Sequence, residues 1–546
     1  MPFTKSKYFP LLLALDSGLV LWLGWPVLPT AFLLFFGFVS ILLLDEHFSN
    51  SDVKKPGFKF FIYTYIVFLI WNTLSTWWVC YSTVVGGIVA IIFNSFLMSV
   101  PFLLFRFTKK VTGLKLGYLS FIIYWLGFEY LHLNWDLSWP WLTLGNGFAM
   151  FPEWVQWYEY TGVLGGSMWL LIVNLLLFFG LRSVIFKERF EGKKFIIPVL
   201  LIIIPVVFSY YKRAGYEEKG DPVNVVVVQP NIDPYNEKFS GSPHFIPYQK
   251  QLNRLITLSE TKLDSTIDYL VWPETAMPSG YWEDEISDYP MIQSLIGFLE
   301  KYPNLTLITG ADTYIEYDSE QNASETARFK PDLGYYDVYN TAMQINPRGE
   351  ISFYHKSKLV PGVEKIPYPK FFKFLEPLAI DMGGTTGSLG KQKERTVFKK
   401  FEIRNSKFEI GIAPSICYES IYGEFMTEYV LNGANFIFII TNDGWWKDTP
   451  GYKQHLNYAT LRAIETKRSI ARSANTGISC FINQQGDILQ ATGWWGQAVI
   501  KGTIISNDKM TFYTTYGNYI GRIAAFLAVA IFLSAVVKYL TTLRKT

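Results

Sequence analysis

Four apolar runs in the second half of the chain end on, or contain, residues able to do chemistry. Glu274 closes YLVWPE, Lys356 lies in ISFYHKSK, Cys417 closes GIAPSIC, and Asn442 and Asp443 close FIFIITND. A cysteine where a strand gives way to a turn, two positions before Glu419, reads either as a small packed hydrophobe or as a nucleophile. Ligands of layered α/β folds bind at the carboxyl ends of strands, so residues of these types at several strand ends point together to one site. Each alone has a plain reading: a glutamate solvated in a loop, a lysine adding surface charge beside Lys358, a cysteine inert in a core.

The elements that must position them are short and β-rich. Strands are expected at 223–232, 267–276, 304–312, 340–349, 351–360, 408–420, 434–443 and 477–489, with hairpin-like turns at NPRG (346–349) and NQQGD (483–487). Helices are expected at 247–262, 290–301, 421–431 and 453–472. Strands nearly continuous in Val, Ile and Phe, alternating with helices, imply sheets covered by helices.

The remainder is different in kind. Of 546 residues half are hydrophobic, with 18 Trp, 34 Tyr and 44 Phe, and the apolar runs crowd into residues 1–211 and the last 25. Eight are long enough to span a bilayer, near 8–24, 27–44, 59–80, 82–105, 114–133, 163–181, 195–211 and 520–541. Every second connection is rich in Lys and Arg (Lys54, Lys55 and Lys59; Arg106, Lys109 and Lys110; Arg182, Lys193 and Lys194), while those near 25, near 81 and across 134–162 contain none. This alternation puts both termini in the cytoplasm and the large domain on the other side of the membrane. The first run carries Asp16 and is followed at once by a second, which favours an uncleaved anchor over a signal peptide. Asp16 and Glu129 mark either a polar path or bundle-facing carboxyls. The 134–162 connection holds five Trp and reads as a segment in the membrane interface, either an aromatic belt or one wall of a lipid site. Three domains follow: 1–211 transmembrane, 212–518 catalytic, and 519–546 a last helix with its tail.

A net charge of +3 excludes nothing but a strongly basic domain, and no nucleic-acid partner is expected. Three cysteines make neither a disulfide framework nor a zinc set. The five histidines lie far apart in sequence, so no metal is expected. Cys480, within GISCFI, reads as a core residue.

WPET (272–275), YHKSKLVP (354–361) and SICYES (415–420) resemble the Glu–Lys–Cys signature of the nitrilase superfamily. A domain of that kind between seven spans and one resembles the apolipoprotein N-acyltransferase family in particular. SWPWLTLG (138–145), VVQPNID (227–233), LVPGVE (359–364) and TNDGWW (441–446) are similar to its further motifs. The sequence departs from the family in reading VPGVE for VPFGE, NDGWW for NDAWF, Lys238–Phe239 for Lys-Trp, and His132 where an Arg is usual.

That resemblance implies an α-helical transmembrane bundle of about eight spans plus an extracytoplasmic α/β nitrilase-like αββα sandwich, in the bacterial inner membrane with a periplasmic catalytic domain. The implied reaction moves an acyl chain from a phospholipid, phosphatidylethanolamine by preference, to the α-amine of a diacylglyceryl-cysteine apolipoprotein, through a thioester on Cys417. Glu274 would be general base and Lys356 an oxyanion partner with the N–H of Tyr418. Glu364 would hold Lys356, and Glu419 would orient or support. Trp139, Trp141, Phe239, Trp445 and Trp446 are candidates for substrate contact, with 441–453 and 360–385 as candidate lids. No cofactor is implied and a monomer is expected. A membrane-tethered amidase acting on a small amide is the alternative.

Overall fold

The structure is a computed structural model, described for residues 6–187, 190–368, 388–400 and 409–544. It divides into two compact units, one comprising Met1–Cys80, Val84–Gly215 and Tyr516–Thr546, the other Tyr81–Thr83 and Tyr216–Thr515.

The first unit is helical: α1 (Phe9–Leu23), α2 (Val39–Ser49), α3 (Pro56–Thr76), α4 (Val84–Thr112), α5 (Leu114–Asn134), α6 (Tyr158–Lys187), α7 (Lys193–Ala214) and the C-terminal helix Tyr519–Leu543. A helix stands at each of the eight expected positions, but among the described residues six are both long and apolar enough to cross a membrane: Ala31–Ser49, Pro56–Tyr81, Val84–Thr112, Tyr158–Phe186, Lys193–Ala214 and Tyr519–Leu543. α1 has only 15 residues, about 22 Å of helix against the ~30 Å of a hydrocarbon core. α5 has the length, but Lys115, Glu129, His132 and Asn134 dilute its apolar character.

Several polar side chains buried inside this unit are paired with one another, as an apolar solvent favours. Asn94 donates to Asn72 (2.7 Å) and pairs with His132 Nε2 (2.7 Å), and Trp135 Nε1 donates to His132 Nδ1 (2.9 Å). Glu129 is buried and accepts from Trp125 Nε1 (2.9 Å) and from the backbone N–H of Leu144 (2.8 Å). It therefore anchors the Trp-rich connection. That connection forms three short 3-10 turns, at Pro140–Leu142, Leu144–Phe148 and Pro152–Trp154, the first two of them buried within the unit.

The second unit is built on two sheets. Its strands are β1 (Pro222–Gln229), β2 (Tyr269–Val271), β3 (Met277–Trp282), β4 (Thr306–Tyr317), β5 (Arg328–Lys330), β6 (Gly334–Ile345), β7 (Ile351–His355), β8 (Phe398–Lys400), β9 (Ile410–Ile416), β10 (Phe436–Thr441), β11 (Ser469–Ala474), β12 (Cys480–Ile482), β13 (Ile488–Leu489) and β14 (Ala498–Ile505). One sheet has the order β14-β1-β2-β4-β6-β5, with β3 on β4 and β7 on β6; the other runs β13-β12-β11-β10-β9-β8. Val226, Val228 and Leu270 pack with Leu252 and Leu255 of α8 (Tyr248–Glu260) and Leu295 of α9 (Pro290–Leu299). On the alternate face Tyr269 meets Phe438 of the other sheet edge to face at 5.3 Å. Burial on both faces explains the unbroken apolar runs, and each such Val or Leu contributes about 1.5–3 kcal/mol.

α10 (Gly423–Leu431) and α11 (Pro450–Thr466) follow β9 and β10. Two expectations need correction. The helix expected to run to 472 stops at Thr466, and Ser469–Ala474 is the central strand β11, because its small and β-branched residues pair in parallel with β10. The strand expected at 267–276 is only three residues long, since Pro273 has no N–H to continue the ladder.

Candidate active site

Glu274 leaves β2 through Trp272 and Pro273. Gly310 of β4 lies against it so closely that a Cβ there would come within 2.4 Å of Thr275 N and 2.7 Å of Glu274 Cα. Only glycine permits that approach. The carboxyl group is buried and fully engaged: Oε1 accepts from Asn340 Nδ2 (2.8 Å) and Lys356 Nζ (3.2 Å), Oε2 from the N–H of Asn442 (3.0 Å).

Lys356 follows β7. The β6–β7 register pairs Thr341 with His355, so the next residue inward, Asn340, faces Lys356, and the Lys356 N–H donates to its carbonyl at 2.8 Å. Lys356 is 1 % exposed, and its Nζ bonds Glu364 Oε1 at 2.7 Å as well as Glu274. Burial alone would push its pKa down. The carboxylates of Glu274 and Glu364, with Cys417, outweigh that and hold it well above the usual lysine value. Glu364 is fixed in turn by the N–H of Val360 at 2.8 Å.

Cys417 sits at φ +51°, a left-handed conformation uncommon outside glycine and often stored at functional sites. The helix expected from 421 begins two residues later. Cys417–Ile421 form a 3-10 turn, and α10 starts at Gly423. Burial raises the thiol pKa well above its ordinary value, Glu274 adds to the rise and Lys356 opposes it, so the resting group is the neutral thiol and a base must take its proton.

Glu419, fully buried, ties this turn to the lysine segment. Oε1 accepts from Tyr354 OH and Ser357 N–H (both 2.7 Å), and Oε2 from Ile416 N–H (2.8 Å). Tyr418 is buried and its OH bonds that of Tyr422 at 2.7 Å.

Several contributors carry no sequence signal that isolates them. Asn340 bridges the two carboxylates, reaching Glu364 Oε1 at 3.3 Å. Lys238 is buried with Nζ on the carbonyl of Glu274 (3.1 Å) and on Thr275 Oγ1 (2.6 Å). Burial lowers its pKa to about 8 against the pull of Glu274 and Asp312. Behind the nucleophile, His455 Nε2 donates to the Cys417 carbonyl (3.0 Å), Nδ1 pairs with Asp443 Oδ1 (2.9 Å), and Arg472 clamps Asp443 Oδ2 (2.5 Å), all 0 % exposed save Cys417. Burial would raise the Asp443 pKa, but Arg472 and His455 take it down to about 2. Cys417, Asp443 and His455 present ligand atoms within 4.8 Å of one another, a grouping their spacing in sequence hides. Asp443 already accepts from Thr441, from His455 and from the Arg472 guanidinium, so its oxygens are taken up within the brace and the cluster is a poor host for a further cation.

Of the aromatic candidates, Phe239 stacks on Trp445 at 6.0 Å and 14°, and Tyr235 meets the same indole edge to face at 5.1 Å. Trp446 packs against His455 at 5.6 Å. Both tryptophans are part-buried in the 3-10 turn Asp443–Trp446. Trp141 is buried in the helical unit against Trp78 at 4.7 Å, beside part-buried Trp139. Of the other candidate lid, residues 369–385 lie outside the described residues. Cys480 lies in β12 at 0 % exposure.

Comparison with known proteins adds an independent line. Residues 247–508 match the carbon-nitrogen hydrolase family and residues 17–176 the apolipoprotein N-acyltransferase N-terminal domain. The chain is 31 % identical over 535 residues to an apolipoprotein N-acyltransferase of Chlorobaculum tepidum, covering 97 % of each protein. It is 27 % identical over 517 residues to that of Geobacter metallireducens, covering 93 % of this chain and 91 % of the relative. Among solved structures, Nit3 of Saccharomyces cerevisiae, of the nitrilase superfamily, aligns over 55 % of this chain and 95 % of its own at 15 % identity and a TM-score of 0.35.

Proposed function

The chain belongs to the apolipoprotein N-acyltransferase family, and from that premise we propose how its residues carry the reaction. The protein is a membrane N-acyltransferase of lipoprotein maturation. The donor in our reading is a phospholipid, with phosphatidylethanolamine the first choice, and the acceptor is the N-terminal amine of a diacylglyceryl-cysteine.

Glu274 takes the thiol proton as Cys417 attacks the ester carbonyl. The oxyanion that forms is met by the Lys356 ammonium and the Tyr418 N–H, and such donors typically lower a barrier by ~3–4 kcal/mol. The C–O bond breaks, the lysophospholipid oxygen leaves with the proton held by Glu274, and the acyl group remains as a thioester. Glu274 then takes one proton from the incoming ammonium and passes it to solvent, the amine attacks the thioester carbonyl, the C–S bond breaks, and the second proton lost by the nitrogen is relayed by Glu274 to the leaving Cys417 sulfur. Glu364 keeps Lys356 charged and oriented. Phe239, Trp445 and Trp446, with Trp139 and Trp141, are our candidates for acyl-chain contact.

The observation that carries this reading is Lys356 held between two buried carboxylates beside a thiol in a left-handed turn. We place the chain in the bacterial inner membrane as a monomer with about eight spans, and the alternating basic loops support reading both termini as cytoplasmic and the catalytic unit as periplasmic.

Intact-protein mass measurement after incubation with phosphatidylethanolamine tests it. Wild type should gain a fatty-acyl mass, released by hydroxylamine, and Cys417→Ala should gain none. An unmodified wild type that is folded and lipid-bound would overturn the thioester route in favour of an amidase.

A further inference from the structure

A second cavity lies in the helical unit, where the ends of α1, α2, α3 and α6 meet. Its volume is about 540 Å3, and its polar lining includes Lys7, His47, Ser51, Lys59 and Tyr63. Neither ammonium has a carboxylate partner among the described residues, and Asp52, the carboxylate of the adjoining turn, is not part of the lining. The Ser51 hydroxyl is buried without a hydrogen-bond partner among the described residues.

The carboxylates nearby in sequence do not offset the lysines. Asp45 is engaged by Arg106 and Lys109, and Glu46 by Arg182 at 2.5 Å. The local set is thus three cations to two anions before Lys7 and Lys59 are counted. Phe48, Val53 and Phe186 supply an apolar side to the same cavity.

We infer that this cavity binds the phosphate of an anionic phospholipid, Lys7 and Lys59 closing on the phosphate, Ser51 and Tyr63 donating hydroxyls, and the apolar side receiving the glycerol and the first acyl carbons. Two point charges and hydroxyl donors suit a phosphate, and apolar surface beside them suits one esterified to a lipid. The site shares no residue with the reaction centre, and its ligand is bound without being consumed.

Native mass spectrometry of the full chain in detergent tests this, with phosphatidylglycerol and phosphatidylcholine of matched chains in equal amounts. Wild type should retain phosphatidylglycerol preferentially, and Lys7→Gln/Lys59→Gln should lower that preference about 30-fold. Lys54→Gln/Lys55→Gln, which removes equal charge from the α2–α3 connection outside the cavity lining, should leave it unchanged. Formation of the acyl adduct by both double variants would show that each is folded. Inorganic phosphate added at millimolar concentration separates the two sources of the group. Failure to displace the lipid supports the lipid site, whereas full displacement would assign the site to free phosphate. Equal retention of both lipids, or an equal loss in the two double variants, would overturn the site.

Discussion

The carboxylate of Glu419 accepts the backbone N–H of Ser357 at 2.7 Å. Through that bond, and through the Ile416 N–H on its other oxygen, the turn that presents the nucleophile and the segment that presents the lysine become one rigid piece. Its role is to position and not to react. Glu419→Ala orphans several buried donors, at about 1–3 kcal/mol each. We expect a lower melting temperature together with a fall of about 100-fold in thioester formation. Glu419→Gln, which keeps one acceptor oxygen, should recover part of both. Thermal melts and timed intact-mass measurements read the two effects separately.

Lys356→Met removes the cation between Glu274 and Glu364. Acyl-enzyme formation should drop about 10²–10³-fold, the usual cost of an oxyanion donor. Timed intact-mass measurements read that rate.

Lys238 offers a test of sign. Its folded pKa is about 8 against the ordinary 10.5, so the unfolded chain binds more protons between those values and stability rises with pH in that window. The stability of wild type relative to Lys238→Met should increase by roughly 2 kcal/mol between pH 8 and 10. A flat difference in denaturant titrations would mean that the ammonium is not held as described.

His455→Gln breaks the brace between Asp443 and the Cys417 carbonyl. The left-handed turn should relax, slowing thioester formation about 10- to 100-fold while the apparent KM for the donor stays unchanged. A change in KM with normal turnover would place His455 in substrate binding instead.

Much was legible in the sequence for reasons that are local. Bilayer thickness sets the length of a spanning apolar run, and helices stand at all eight expected positions, six of them, among the described residues, long and apolar enough to cross. Strands buried on both faces must be continuously apolar, so β1, β9 and β10 announce themselves. Glu274, Lys356 and Cys417 each lie in a short motif at a strand end, and Glu364 in a loop whose LVPGVE resembles the family's.

What tertiary structure alone decided depends on register and on contacts across long separations. The pairing of β6 with β7 sets Asn340 opposite Lys356. Lys238 reaches Glu274 across 36 positions and Arg472 reaches Asp443 across 29. No local pattern marks Asn340 or Arg472, since a buried Asn or Arg in a strand has the same sequence surroundings as a solvated one, and the Lys238–Phe239 pair does not show that its ammonium lies on Glu274. Only the fold sets which carboxylates share a cation, and hence which thiol stays protonated until its base acts.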